Sequence, residues 1–270
     1  MSAADVEAGF DPAAGAPRPG HGAHGAEVLS LRAVVKKFGA LVALNDLSFD
    51  VLPGEIFGVA GPNGAGKSTL LNVCTGVLSP DAGEIVFAGE PMQGRPPHRF
   101  CRKGIARTFQ IPQIFVSMSV FDNVATGAMF GLAGKPAEDR PVKEHVDAIL
   151  EMTGLAPKRE MPARHADLLT RKMTMLAAAL ATSPTLVFMD EPLAGFTTQE
   201  TDRFSALISR IHQDLAITFV VVEHKIRALT KLADRIMILH QGARICLDTP
   251  QNVLRDKRVI DVYLGSRPND

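Results

Sequence analysis

Residues Gly61–Thr69 read GPNGAGKST, and the residue types in that order describe a device for holding phosphate. Gly61, Gly64 and Gly66 allow the backbone to wrap closely around an anion with its N–H groups turned inward. Pro62, Asn63 and Ala65 fill the loop between them. Lys67 brings a cation to the outer phosphates of a nucleotide, and Ser68, followed by Thr69, offers a hydroxyl to Mg²⁺. The helix expected next, KSTLLNVCTGVL, directs its positive N-terminal end at the same anion.

A second stretch complements the first. LVFMDEP is an apolar run that delivers Asp190 and Glu191 at its end. Neighbouring residues on a strand point to opposite sides, so one carboxylate can serve a metal while the other faces a water beside the terminal phosphate. His224 closes the run VVVEH, and Gln110 lies in ARTFQ. Taken singly, such a histidine more often satisfies a surface or core position, and the glutamine is unremarkable. Taken together, loop, Gln, Asp-Glu and His follow one another in a single order.

The elements that must position these residues are legible around them. Leu29, Leu31 and Ala33 alternate with polar neighbours, as do Leu47, Phe49 and Val51, which predicts strands joined through Pro53-Gly54 to a buried strand EIFGVAG. GEIVFAGEPM reads as a strand and turn. From about residue 117 to 165 the pattern becomes helical, with Val142, Val146, Ile149 and Leu150 on one face. TLVFMD and TFVVVEH have the length and composition of buried strands. Thr197 and Glu200 stand at capping-box spacing before a helix carrying Phe204, Leu207, Ile208 and Ile211. A short helix through Ala233 follows, then a hairpin turning at Gln241-Gly242, and Thr249-Pro250 opens a last helical stretch. Buried strands alternating with helices predict an α/β fold on a largely parallel sheet.

Bulk composition narrows the class. The chain has 270 residues, 46% hydrophobic and 21% charged, with formal net charge zero. A neutral chain lacks the basic surface on which nucleic-acid affinity rests. Cys74, Cys101 and Cys246 are too far apart for a CxxC site, and no window is apolar enough for a membrane span. Residues 1–26, rich in Ala, Gly, Pro and His, read as a flexible tail without the features of a signal peptide.

The order of the four elements resembles that of the ATP-binding subunits of ABC transporters. FGALVALNDLSFDV, GIARTFQ and VIDVYLG are similar to the branched-chain amino acid importer group in particular. The resemblance implies a P-loop ABC-type nucleotide-binding domain over residues 27–265, with a RecA-like core, an antiparallel β subdomain and an α-helical subdomain at about 111–171, then a short tail from 266. It implies ATP and Mg²⁺ as ligands and transmembrane permease subunits as partners. It also implies a peripheral place on the inner, cytoplasmic face of the plasma membrane.

Residue by residue, the resemblance assigns Phe38 to an aromatic contact with adenine, against which stands an ordinary core phenylalanine. It assigns Gly61 through Thr69 to the phosphates and Gln110 to magnesium and to sensing the membrane subunit. Asp190 corresponds to the magnesium-organising acid and Glu191 to the general base. His224 corresponds to the residue that holds the terminal phosphate and the attacking water in line. Residues 194–197, AGFT, resemble the loop that crosses between two subunits. Ile111, Ile114, Phe115 and Val116 offer apolar contacts to the permease, or core packing. An exporter ATPase of the lipopolysaccharide type and a regulatory subunit that binds ATP with little hydrolysis are the alternatives.

One stretch departs from the family. Its serine-and-glycine signature, LSGGQ or a relative, precedes a helix reading roughly LARAL, and here LAAAL (Leu176–Leu180) places Ala166-Asp167-Leu168-Leu169-Thr170 at the signature. Bulk replaces glycine, and Asp167 opposes phosphate with a like charge worth up to about 4 kcal/mol at about 4 Å and an effective dielectric of about 20. Arg171 or Lys172 would offset part of it. The same stretch also reads as a plain helix, with Leu169, Met173, Leu176 and Leu180 on one face. The combination predicts a heterodimer with a second ATP-binding subunit that supplies an intact signature.

Overall fold

The computed structural model describes residues 27–131, 142–224 and 226–264. The expected tails at 1–26 and 266–270 lie outside these, as do ten residues of the expected helical region, 132–141. In chain order the elements are β1 (Leu29–Phe38), β2 (Leu41–Val51), β3 (Ile56–Ala60), α1 (Lys67–Cys74), β4 (Ala82–Phe87), β5 (Glu90–Pro91), α2 (Pro97–Lys103) and β6 (Ile105–Thr108). They continue with α3 (Val120–Gly131), α4 (Val142–Thr153), α5 (Leu168–Ala181), β7 (Leu186–Asp190), α6 (Thr198–Leu215) and β8 (Thr218–Glu223). The chain then forms α7 (Ile226–Leu229), β9 (Arg235–His240), β10 (Ala243–Asp248), α8 (Pro250–Val253) and α9 (Lys257–Leu264).

The central sheet runs in the order β10-β9-β3-β8-β7-β6. All pairings within it are parallel except the β9–β10 hairpin. Its inner strands β3, β7, β8 and β9 are apolar on both faces because both faces are covered. Phe57, Val59, Leu186, Phe188, Val220, Val222, Met237 and Leu239 enter one core; their alternating neighbours Ile56, Ala60, Val187, Met189, Phe219, Val221, Ile236 and Ile238 enter the other. The period of two along each strand sorts side chains between the two cores. An antiparallel sheet, β2-β1-β4-β5, closes over the first core together with α1. Helices α3 to α6 cover the second.

Small residues set the spacing of the helical layer. A Cβ added at Gly127 of α3 would lie 2.1 Å from the carbonyl oxygen of Ala178. Helices α3 and α5 therefore touch backbone to backbone, and the alanines of LAAAL with Ala181 after it leave room for it: Ala177, Ala179 and Ala181 are buried. Both strands of the antiparallel sheet's first hairpin bury the predicted Leu29, Leu31, Leu47, Phe49 and Val51. Ala33 departs from that alternation: it is exposed, with φ of 49°, at an irregularity in the pairing, and Val34 takes the inward place. Helix α1 stops at Cys74, four residues before the predicted end at Leu78, because Thr75 folds its hydroxyl back on Leu71 O and Gly76 turns the chain. In α4, Val146, Ile149 and Leu150 are buried, but Val142, at the helix's first residue, is exposed.

Candidate functional site

The parallel order places four strand ends in a row, and ligand sites in such sheets lie at the carboxyl ends of the strands. β3 leads into Gly61–Gly66, β8 beside it ends at Glu223-His224, β7 ends at Asp190-Glu191, and β6 leads to Gln110. The phosphate-loop residues, the two acids, the histidine and the glutamine thus meet on one edge of the molecule.

Gly66 caps α1 with φ of 104°, and a Cβ there would fall 2.4 Å from Ala43 O, so only glycine fits between the loop and β2. Lys67 is buried, its Nζ donating to Gly61 O at 2.7 Å and Pro62 O at 2.9 Å. Burial lowers its pKa, and the charges of Glu191, Asp190 and Glu223 push it back up. A desolvated ammonium held against the loop's own carbonyls is ready to interact strongly with an anion. Ser68 is exposed in the first turn of α1, with Thr69 beside it partly covered.

Glu191 has a φ of 41°, a left-handed conformation that a glutamate seldom adopts, and its N–H is tied to Val222 O at 2.9 Å. Strain of this kind persists only where the surroundings hold it. Its side chain is 18% exposed, within reach of water. Gln110 Nε2 donates to Glu191 Oε2 at 2.7 Å, and His224 Nδ1 stands 3.8 Å from the same oxygen. Gln110 and His224 thus converge on one carboxylate oxygen of Glu191. Asp190 turns the other way, its Oδ2 3.1 Å from Arg107 Nη2.

Two charged residues that sequence reasoning left out of the site hold the turn after the acids. Lys172 of α5 is 2% exposed and donates from Nζ to Glu191 O (3.2 Å), Pro192 O (3.0 Å) and Ala194 O (2.8 Å), while the Phe196 ring centroid lies 5.0 Å away. Glu223 accepts from Leu193 N at 3.1 Å. Burial pushes the Glu223 carboxyl up to about 7, the charge of Glu191 adds to this, and the Leu193 N–H and Lys172 pull it down. A signal was present for each. Lys172 lies four residues before buried Leu176 on the same helix face, and Glu223 ends a strand whose every residue is buried.

At the departing stretch, the helix reading of Leu169, Met173, Leu176 and Leu180 holds, all four being buried. Asp167 is the N-cap of α5, its Oδ1 accepting from Thr170 N at 2.7 Å. The expected offset of its charge by Lys172 or Arg171 is corrected. Lys172 is spent on the 191–194 carbonyls, and Arg171 donates to Ala166 O and Arg164 O. Lys158, 4.0 Å from Asp167 and bonded to Thr170 Oγ1, is the cation in that place. Leu168 is exposed and packs toward Gly195.

Phe38 stands apart from the cluster at the end of β1. Its ring is 47% exposed, with Lys36 Nζ 5.7 Å from the centroid, so it is no core phenylalanine. The β1–β2 hairpin that carries it is the one whose Ala43 presses on Gly66. Ile111, Phe115 and Val116 are likewise exposed, and Ile114 is half-buried. Beside them Phe100, Arg107, Phe109, Gln113, Met175 and Thr182 line a groove of about 320 Å³. Among the described residues no helix is long and apolar enough to cross a membrane.

Residues 44–194 match the family model described as ABC transporter. The chain is 31% identical over 249 residues to the high-affinity branched-chain amino acid transport ATP-binding protein BraF of Pseudomonas aeruginosa, covering 88% of this chain and 98% of that one. It is 30% identical, with the same coverage, to the corresponding protein LivG of Escherichia coli K12. Among solved structures, an ATP-binding cassette of an ABC transporter in its ADP conformation superposes with a TM-score of 0.80 at 30% identity, covering 89% of this chain and 99% of that one. Matched in family model, in relatives along nearly their whole length and in fold, the chain belongs to the ABC transporter family, as an ATP-binding and ATP-hydrolysing subunit.

Proposed function

We propose that the chain powers import of branched-chain or other small amino acids or amides, seated against transmembrane permease subunits on the inner face of the plasma membrane. The observation that carries this reading is the end-to-end similarity to branched-chain amino acid transport ATP-binding proteins, at 31% identity over 98% of BraF. The exposed apolar residues about Phe109, Ile111 and Phe115 and the groove beside them are the surface the permease takes.

The reaction is ATP + H₂O → ADP + phosphate. Gly61 through Thr69 hold the phosphates, with Lys67 as their cation, and Phe38 stacks on adenine. The residues fit magnesium: the exposed Ser68 hydroxyl, Asp190 and the side-chain oxygen of Gln110, whose Nε2 is committed to Glu191, are hard oxygen donors. When bound, the ion neutralises charge that develops on the outer phosphates. Glu191 takes the proton from the attacking water. With Oε2 fixed by Gln110 and flanked by His224, its Oε1 is the oxygen left to act as base. His224 aligns the terminal phosphate and that water. Replacing Glu191 with Gln should leave ATP binding intact and stop turnover; wild-type turnover in that variant would show that the base is another group.

Asp167 and Leu168 stand where glycine and serine would meet a partner's ATP. This supports a heterodimer of unequal sites, in which this chain's own loop, Glu191 and His224 close on a second ATP-binding subunit with an intact signature. ATPase measured for this chain alone and with its partner tests the idea, and full activity as a homodimer excludes it. The same stretch favours, as second reading, a regulatory subunit that binds ATP and hydrolyses little. Comparing nucleotide affinity with phosphate release separates the two.

A further inference from the structure

Arg107 ends β6 one residue short of its last, three before Gln110, and its guanidinium spans three elements. Nη1 donates to Asn72 Oδ1 on α1 at 2.7 Å and reaches Thr75 Oγ1 at 3.4 Å; Nη2 donates to Asp190 Oδ2 at the end of β7 at 3.1 Å. The Phe109 ring centroid lies 4.9 Å from the guanidinium carbon. The pair is largely withdrawn from water, with Arg107 12% and Asp190 17% exposed. Arg107 Nε is buried with no partner among the described residues. A planar fork that leaves one buried N–H unsatisfied is fixed by what its other N–H groups hold. They hold one oxygen of Asp190, and Oδ1 takes no donor from the described residues.

We propose that Arg107 is a positioning residue for Asp190, fixing Oδ2 so that Oδ1 alone is presented to magnesium, a role that rests on the reading of Asp190 as the magnesium-organising acid. The strand β6 then sets both acids of the site: Arg107 orients Asp190 as Gln110 orients Glu191. Because α1 begins in the phosphate loop, the bond to Asn72 ties the carboxylate's position to the helix that carries Lys67 and Ser68. A lysine at 107 could neutralise Asp190 but could not span Asn72 and Asp190 together.

The test is equilibrium binding of a fluorescent ATP analogue to the purified full chain, in excess magnesium and in EDTA, with the ratio of the two affinities as readout. Arg107→Gln should cut the gain from magnesium about tenfold or more while leaving affinity in EDTA within about twofold, and Arg107→Lys should fall between it and wild type. An unchanged or larger gain in Arg107→Gln overturns the proposal, as does an equal loss in EDTA, which would mark general damage to the loop. Asp190→Asn is measured alongside. If it keeps the full gain, the reading of Asp190 itself fails; if it loses the gain while Arg107→Gln keeps it, only the role of Arg107 fails. Should Arg107→Gln not fold, Arg107→Lys decides: a gain equal to wild type overturns the proposal, and one about threefold smaller or less supports it.

Discussion

Glu223 offers the sharpest test of the electrostatics behind the site. Its carboxyl is 3% exposed, and burial raises it from an ordinary 4.5 to about 7. The folded state therefore binds this proton more tightly than the unfolded chain does. Stability from the group is fully present below pH 4.5 and is lost as pH rises through about 7. At 1.36 kcal/mol per pKa unit the span corresponds to roughly 3 kcal/mol, an upper value because Lys172 offsets the buried charge. For a domain of this size that is roughly 6 to 12 °C in Tm. The comparison is with Glu223→Gln, which removes this one titrating group while its amide oxygen still accepts from Leu193 N. Thermal unfolding of both proteins from about pH 5 to about pH 8 should show wild type losing stability relative to the variant as pH rises. A Tm difference that stays flat across the window would refute the raised pKa and with it the account of a desolvated Lys172–Glu223 clamp.

Three further outcomes follow from the geometry. Lys172→Met keeps the stem but leaves the carbonyls of Glu191, Pro192 and Ala194 without their charged donor; it should lower stability by about 3 kcal/mol by denaturant unfolding. Gly127→Ala drives a methyl to 2.1 Å from Ala178 O, so α3 and α5 must part, at a cost of about 1 to 3 kcal/mol in the same assay. Thr197→Ala removes half of a capping box, in which Thr197 and Glu200 serve each other's N–H groups, and should cost about 1 kcal/mol by denaturant unfolding.

β3, β7 and β8 were legible because each reads as a short continuous apolar run, and the phosphate loop because its glycines and lysine have few other uses together. β6 and α2 were not foreseen. GIART offers only a short, half-polar run, and its place as a sheet edge depends on pairing with β7 across some eighty positions of chain. The bulge at Ala33 and the early stop of α1 are local backbone events that hydropathy does not register. In the site, residue types singled out Lys67, Asp190 and Glu191, and the resemblance added Gln110 and His224. They could not indicate that Gln110 and His224 would share Glu191 Oε2, since that requires β6, β7 and β8 to be neighbours. Glu223 and Arg107 escaped notice, and Lys172 was given the wrong partner, for a related reason: each is a charge whose partners lie on another element, and a charge in sequence looks the same whether solvated or clamped.

The stretch 166–170 brings these strands of reasoning together. A helix start has free N–H groups, and they can serve either a ligand or a cap, not both at once. A glycine-rich signature leaves them for a partner's phosphate. Here Asp167 accepts from Thr170 N, with its carboxyl held below the ordinary range by that bond and by Lys158. The positive end of α5 is thus answered from within the chain, by a group of the same sign as the phosphate it would otherwise meet. Five residues after Asp167, Lys172 reaches from this helix to the backbone of Glu191. That is the ground for the heterodimer proposed above: α5 is tied to this chain's own site, and its capped start leaves the signature's task to a second ATP-binding subunit in that reading.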